Sequence, residues 1–282
     1  MDKKRLWVTG SLIVLFFVFG VARTYAGGAV KGAFIDSLYN GVLYFMVGAV
    51  LSSLLVLAGS QVGKGVFSQG FGGIGKNIFN VTAAIVLGAL LVLLRYAIVF
   101  RMHFLMDTGM PLDLLALTLA ARTLEIVLLA VFVVGVILPM LLEHWGMWVS
   151  IAVASLLYAV LQLGQLAASR GFSLEKILGL DVALALSTAV LMYAMLCYAF
   201  VRTRRLWFSV AFVSSWSAAD YLVFKVLGPD ISFYDSRLDA VLVVMLLSAG
   251  FFICAQILKG RSNASVERKD NGRFRPKHNW VK

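Results

Sequence analysis

Ionisable side chains fall inside long apolar runs of the chain, among them Arg95, Arg122, Glu125, Asp181, Asp220 and Lys225. Charges at membrane depth are costly, face a bundle interior, and mark ion or proton paths, internal pairs or ligand contacts. Arg122 and Glu125 are three residues apart, so on a helix they share a face and can pair. Lys225 stands near the end of its run, where its stem can carry the ammonium to the interface. Spacing supplies no partner for Asp181 or Asp220. Two amides, Gln162 and Gln165, lie in the equally apolar stretch SLLYAVLQLGQLAAS (155–169). An amide in hydrocarbon needs a hydrogen-bond partner, at a cost of a few kcal/mol without one. Ser214, Ser215 and Ser217 flank Trp216. A serine nucleophile requires a base within reach, but no apolar run contains a histidine, so these hydroxyls read as helix-packing groups. His103, His144 and His278 are too dispersed to form a metal-ligand pair.

The elements that must position these groups are membrane helices. The 282 residues are 61% hydrophobic and 14% charged, with mean hydropathy +0.91. Soluble domains average about 45–50% apolar and about 25% charged. Eight apolar runs can each span a bilayer: Leu6–Val21, Phe34–Ala58, Asn77–Phe100, Leu114–Leu142, Met147–Ala168, Ile177–Val201, Leu206–Leu227 and Leu238–Leu258. A span needs about 20 residues, so the fourth run is overlong and is expected to tilt or to begin in the interface. The fold class is all-α, a polytopic bundle over 1–258 with a basic, disordered cytoplasmic tail over 259–282. The first run, preceded by Lys3, Lys4 and Arg5 and followed by TYA at 24–26, also fits a signal peptide.

Charge sets the expected orientation. Sixteen Lys and Arg lie on the side of the two termini and six on the other, with Arg95, Arg122 and Lys225 inside runs. The positive-inside rule therefore places both termini in the cytoplasm of a cell-membrane protein. The net charge of +11 follows this pattern and does not imply nucleic acid; the expected partners are membrane lipids, with the tail lying on anionic lipid. The loop GSQVGKGVFSQGFGGIGK (59–76) lacks the GxxxxGK[ST] pattern and a preceding strand, so it reads as a flexible connection rather than a phosphate loop. Cys197 and Cys254 read as packed thiols, and the glycosylation patterns at Asn80 and Asn263 fall in a span and in the tail.

From Gly135 the pattern becomes more specific. GVILPMLLEHWGMWVSIAVASLLYAVLQLG (135–164) and RTRRLWFSVAFVSSWS (202–217) resemble the middle of the CAAX-processing and bacteriocin-processing (CPBP, or Abi) family of intramembrane metalloproteases. The family pattern runs EExxFRG, RFGxW, SSLLFxxxHLG and RTGSLWxxIxxHxxWN. Gly135, Gly146, Trp148, Ser155, Arg202, Thr203, Leu206, Trp207 and Trp216 match it, and the resemblance covers about 124–227. It implies a CPBP-like core in which glutamates and histidines surround a divalent metal and a water, and an asparagine helps hold the oxyanion.

Carried over residue by residue, those positions are replaced. The glutamates fall on Leu129 and Ala130, and the arginine on Val134. The phenylalanine and histidine of FxxxH fall on Tyr158 and Gln162, the second histidine on Val213, and the asparagine on Ser217. Leucine and valine cannot bind metal and an amide binds zinc poorly. Glu125 stands one turn before Leu129, about 6 Å away, and Arg122 continues the stripe. The candidate polar site is therefore Arg122, Glu125, Gln162 and Ser217, with no catalytic residue and no metal or cofactor. The expected function is that of a pseudoprotease: a membrane scaffold, or a binding protein for a membrane protein or peptide in the old cavity. Two alternatives stand beside it. One is an active CPBP-family endopeptidase with zinc. The other is a small transporter or channel using Arg95, Arg122, Glu125, Asp181 and Asp220, against which stands the lack of a clear internal repeat.

Overall fold

A computed structural model describes residues 74–99, 112–142, 145–170, 179–226 and 236–266. The first two apolar runs, most of the Gly-rich segment and the end of the tail lie outside the described residues. So do the side chains of Arg122, Glu125, Gln162, Asp181 and Lys225.

Every described element is helical: α1 (Ile74–Val99), α2 (Leu112–Phe132), a π-turn (Val133–Ile137), α3 (Leu138–Leu142), α4 (Met147–Arg170), α5 (Leu180–Thr203), α6 (Trp207–Val226) and α7 (Ser236–Val266). They coincide with the third to eighth apolar runs. Among the described residues three segments are long and apolar enough to cross a membrane: Asn77–Val99, Val182–Thr203 and Arg237–Leu258. The last helix continues to Val266, so Leu258, expected as the end of the span, is not a helix end.

The overlong fourth run is helical from Leu112 to Leu142 and carries a widened turn just before Pro139. Proline has no N–H, and its ring clashes with the carbonyl four residues earlier, here Gly135. The chain absorbs the conflict by widening the turn around Gly135, and the N–H of Leu138 donates to the carbonyl of Val133, five residues back. The widened turn is buried throughout.

Small residues set the closest approach. A Cβ on Gly88 would stand 2.9 Å from the carbonyl oxygen of Phe212, so α1 and α6 are nearly in backbone contact. Beside it the Ser215 hydroxyl donates to the carbonyl of Ile85 at 2.7 Å. This is the packing expected of small residues and hydroxyls in lipid. The contacts run 85 with 215, 88 with 216 and 95 with 220, so α1 and α6 are parallel. Leu91 of α1 meets Gly250 of α7, and Arg95 meets Asp239, so α7 is antiparallel to α1. Ser209 of α6 donates to the carbonyl of Leu196 on the antiparallel α5.

One apolar core unites α1, α2, the π-turn, α4, α5, α6 and α7. Both cysteines are buried free thiols within it. The outward faces are also apolar: Val86, Met245 and Phe252 are 58%, 65% and 64% exposed. Apolar inside and outside suits helices solvated by hydrocarbon.

The two glycines separate rigid from yielding contacts. At Gly88 an added methyl meets backbone, whereas at Gly250 it meets the tip of the Leu91 side chain. Gly88→Ala is expected to destabilise by about 1–3 kcal/mol despite alanine's better helix propensity. Gly250→Ala is expected to be near neutral. Thermal melts of the two variants in detergent check the contrast, and equal effects would contradict it.

Candidate functional site

The polar centre of the described residues forms where the C-terminal ends of α1 and α6 meet the N-terminal end of α7. Arg95 stands one turn before the end of α1. Its Nε and Nη2 donate to the two carboxylate oxygens of Asp239, both at 2.7 Å. Its Nη1 donates to Oδ1 of Asp220, also at 2.7 Å. Tyr96 donates its hydroxyl to that same oxygen at 3.0 Å, and the guanidinium lies 5.0 Å from the Tyr96 ring centre. One cation is therefore shared by two carboxylates.

The two acids are not equivalent. The Asp239 side chain is 5% exposed and takes the full fork of the guanidinium, whereas that of Asp220 is 39% exposed. A bidentate guanidinium–carboxylate pair fixes orientation as well as contributing energy. Val92, Tyr96, Val99 and Val223 pack together beside the cluster, with Leu242 against them. This apolar packing holds α1, α6 and α7 in the register that the fork requires.

The sequence-predicted site lies elsewhere. Leu129, Ala130, Val134, Tyr158 and Val213 do come together, but as members of one buried apolar core. Tyr158 stacks on Tyr193 with ring centres 3.5 Å apart. Ser217 is buried on α6, one turn after Val213. Gln162 lies on α4, and its side chain, with those of Arg122 and Glu125, is outside the described residues. The expected contacts Gln162–Ser217 and Arg122–Glu125 therefore fall outside them too. Among the described residues α4 packs chiefly on α5, and α6 chiefly on α1 and α2.

Zinc does not fit the residues at the family positions. Leu129, Ala130, Val134 and Val213 offer no donor atom, and the Tyr158 ring is stacked. Among the described residues no group of three or more His, Cys, Asp or Glu could hold a metal ion. No family model, no curated protein and no solved structure matches the chain.

Arg95 and Asp220 were legible as charges within apolar runs; Asp239 was missed. An acid in the first turn of a helix ordinarily complements the positive end of the helix dipole, and Asp239 occupies such a place. The signal available was charge arithmetic: Arg95 had no counterion within its own run.

The asymmetry predicts unequal mutational costs. Asp239→Ala removes two of the three carboxylate bonds to Arg95 and is expected to cost about 3–5 kcal/mol. Asp220→Ala leaves the fork intact at a half-exposed site and is expected to cost about 1 kcal/mol. Unfolding of both variants in mixed micelles measures the difference. A larger loss for Asp220→Ala would show that Asp239 is not the main anchor.

Proposed function

We propose that this chain is a multi-pass cell-membrane protein of about eight spans with both termini in the cytoplasm. It acts without catalysis, as a membrane scaffold or as a binding protein for a membrane protein or peptide, on a CPBP-like core. The observation that carries this reading is the fate of the positions that the resemblance marks for chemistry. Leu129, Ala130, Val134 and Val213 are each 5% exposed or less and pack against one another's neighbours in the core. A metal site needs donors and room for a water; packed aliphatic side chains offer neither.

The orientation is supported by charge. Lys76, Arg202, Arg204 and Arg205 belong to helix ends opposite the Arg95 cluster, and Lys259 lies in the half of α7 away from it. A membrane reading is further supported by the three long apolar helices and the apolar exterior. In such a protein the Arg95–Asp239–Asp220 cluster is a clamp that fixes three helices near one membrane face.

A second reading, a cation- or proton-linked transporter, is favoured by one feature of that cluster. Two carboxylates share one guanidinium, and Asp220 is half exposed.

Two measurements on the purified protein separate the readings. After a wash with a weak chelator, elemental analysis is expected to find no stoichiometric zinc; one zinc per chain would restore the protease alternative. Reconstituted liposomes are expected to show no cation or proton flux above empty ones. Flux that Asp220→Asn abolishes would establish the transporter instead.

A further inference from the structure

The end of the bundle opposite the Arg95 cluster carries a second concentration of charge, built differently. Three arginines crowd the turn between α5 and α6, in the sequence Arg202-Thr203-Arg204-Arg205. The turn is held rigidly. The Thr203 hydroxyl lies 2.8 Å from the carbonyl oxygen of Ala199 and 3.0 Å from that of Arg205. It also accepts the N–H of Arg205 at 3.2 Å. Arg204 adopts the left-handed conformation, φ 55° and ψ 25°, and its N–H caps the carbonyl of Phe200 at 2.7 Å. Among the described residues Arg204 is the one non-glycine residue with positive φ. Glycine would take this capping conformation without penalty. An exposed arginine there adds strain.

Arg202 is fixed but not neutralised. Its Nε donates to the Tyr198 hydroxyl at 3.0 Å, and its guanidinium lies 5.2 Å from the Tyr198 ring centre. Neither Arg202 nor Arg204 pairs with an acid among the described residues. Trp148, at the start of α4 and 61% exposed, stacks on the same tyrosine with ring centres 6.0 Å apart. From Trp148 an exposed stripe runs along α4 through Val149, Ala152, Leu156 and Val160. The N-terminal end of α6, with the positive pole of its dipole, opens at the same turn.

Charge, aromatic platform and apolar stripe thus follow one another along the helix axis. We propose that the α5–α6 turn and the face of α4 beside it bind an anionic phospholipid. Arg202 and Arg204 take the headgroup phosphate, Trp148 lies at the interface, and an acyl chain follows Leu156 and Val160. Paired donors in a guanidinium suit phosphate oxygens, and tryptophan favours the interfacial depth. The arginines alone would suit a free phosphate, but the stripe leading away from them fits a lipid. This site rests on the membrane reading above.

The test uses the full chain in nanodiscs of phosphatidylcholine containing one-fifth phosphatidylglycerol, followed by native mass spectrometry. The protein is expected to leave the disc with phosphatidylglycerol in preference to phosphatidylcholine. The double variant Arg202→Gln, Arg204→Gln is expected to lose that retention by about tenfold. Arg237→Gln, at the opposite end, is expected to retain it. Arg204→Gly separates structure from binding: it should raise the melting temperature in pure phosphatidylcholine while lowering phosphatidylglycerol retention. Unchanged retention in the double variant overturns the lipid site and leaves the membrane reading standing. So does equal protection by inorganic phosphate in pure phosphatidylcholine discs, which would assign the arginines to a free anion. A chain that does not enter the discs overturns both.

Discussion

A guanidinium in a low-dielectric bundle cannot stand without anions, and the packing of three helices follows from that constraint. Arg95 brings Asp239 of α7 and Asp220 of α6 to one guanidinium. In water, such pairs are individually weak. Near hydrocarbon the alternative is an unpaired charge, so the cluster acts chiefly by penalising any arrangement in which α6 or α7 moves away. Its fork geometry then fixes rotation as well as distance. The pair gives orientation, and the apolar contacts of Val92, Val99 and Val223 beside it supply the cohesion.

Cohesion elsewhere depends on proximity rather than charge. Lipid is as apolar as a leucine side chain, so helices gain little from burying apolar surface against each other. Gly88 answers this by letting the α6 backbone approach, and Ser215 converts the approach into a hydrogen bond. The seam and the Arg95 cluster lie on the same pair of helices, about two turns apart. Together they fix α1 and α6 as a unit onto which α7 closes.

How much of this was legible in the sequence differed by type of signal. Helix positions were legible, because a run of twenty apolar residues has few other fates. Arg95 and Asp220 were legible as misplaced charges, but not their mutual contact, which joins residues 125 apart in the chain. Pairing within one helix could be read from spacing, which drew attention to Arg122 and Glu125. Pairing between helices depends on which faces meet, and no local pattern encodes that. Asp239 was hidden for the same reason, since its place at a helix start offered a sufficient local explanation. Leu129, Ala130, Val134 and Val213, which the resemblance singled out as replaced positions, lie in the buried apolar core, a placement that their apolar types alone would suggest.

The widened turn at Val133–Ile137 has an effect on phase. One extra residue in a turn rotates everything before it by about 100° relative to everything after it. The face of α2 that carries residue 129 therefore points in a different azimuth from the one a straight helix through Leu142 would give it. Positions on the two sides of Gly135 cannot be compared on one helical wheel. Removing a residue within 133–137 would turn the backbone of α2 by about a quarter of a revolution relative to α3.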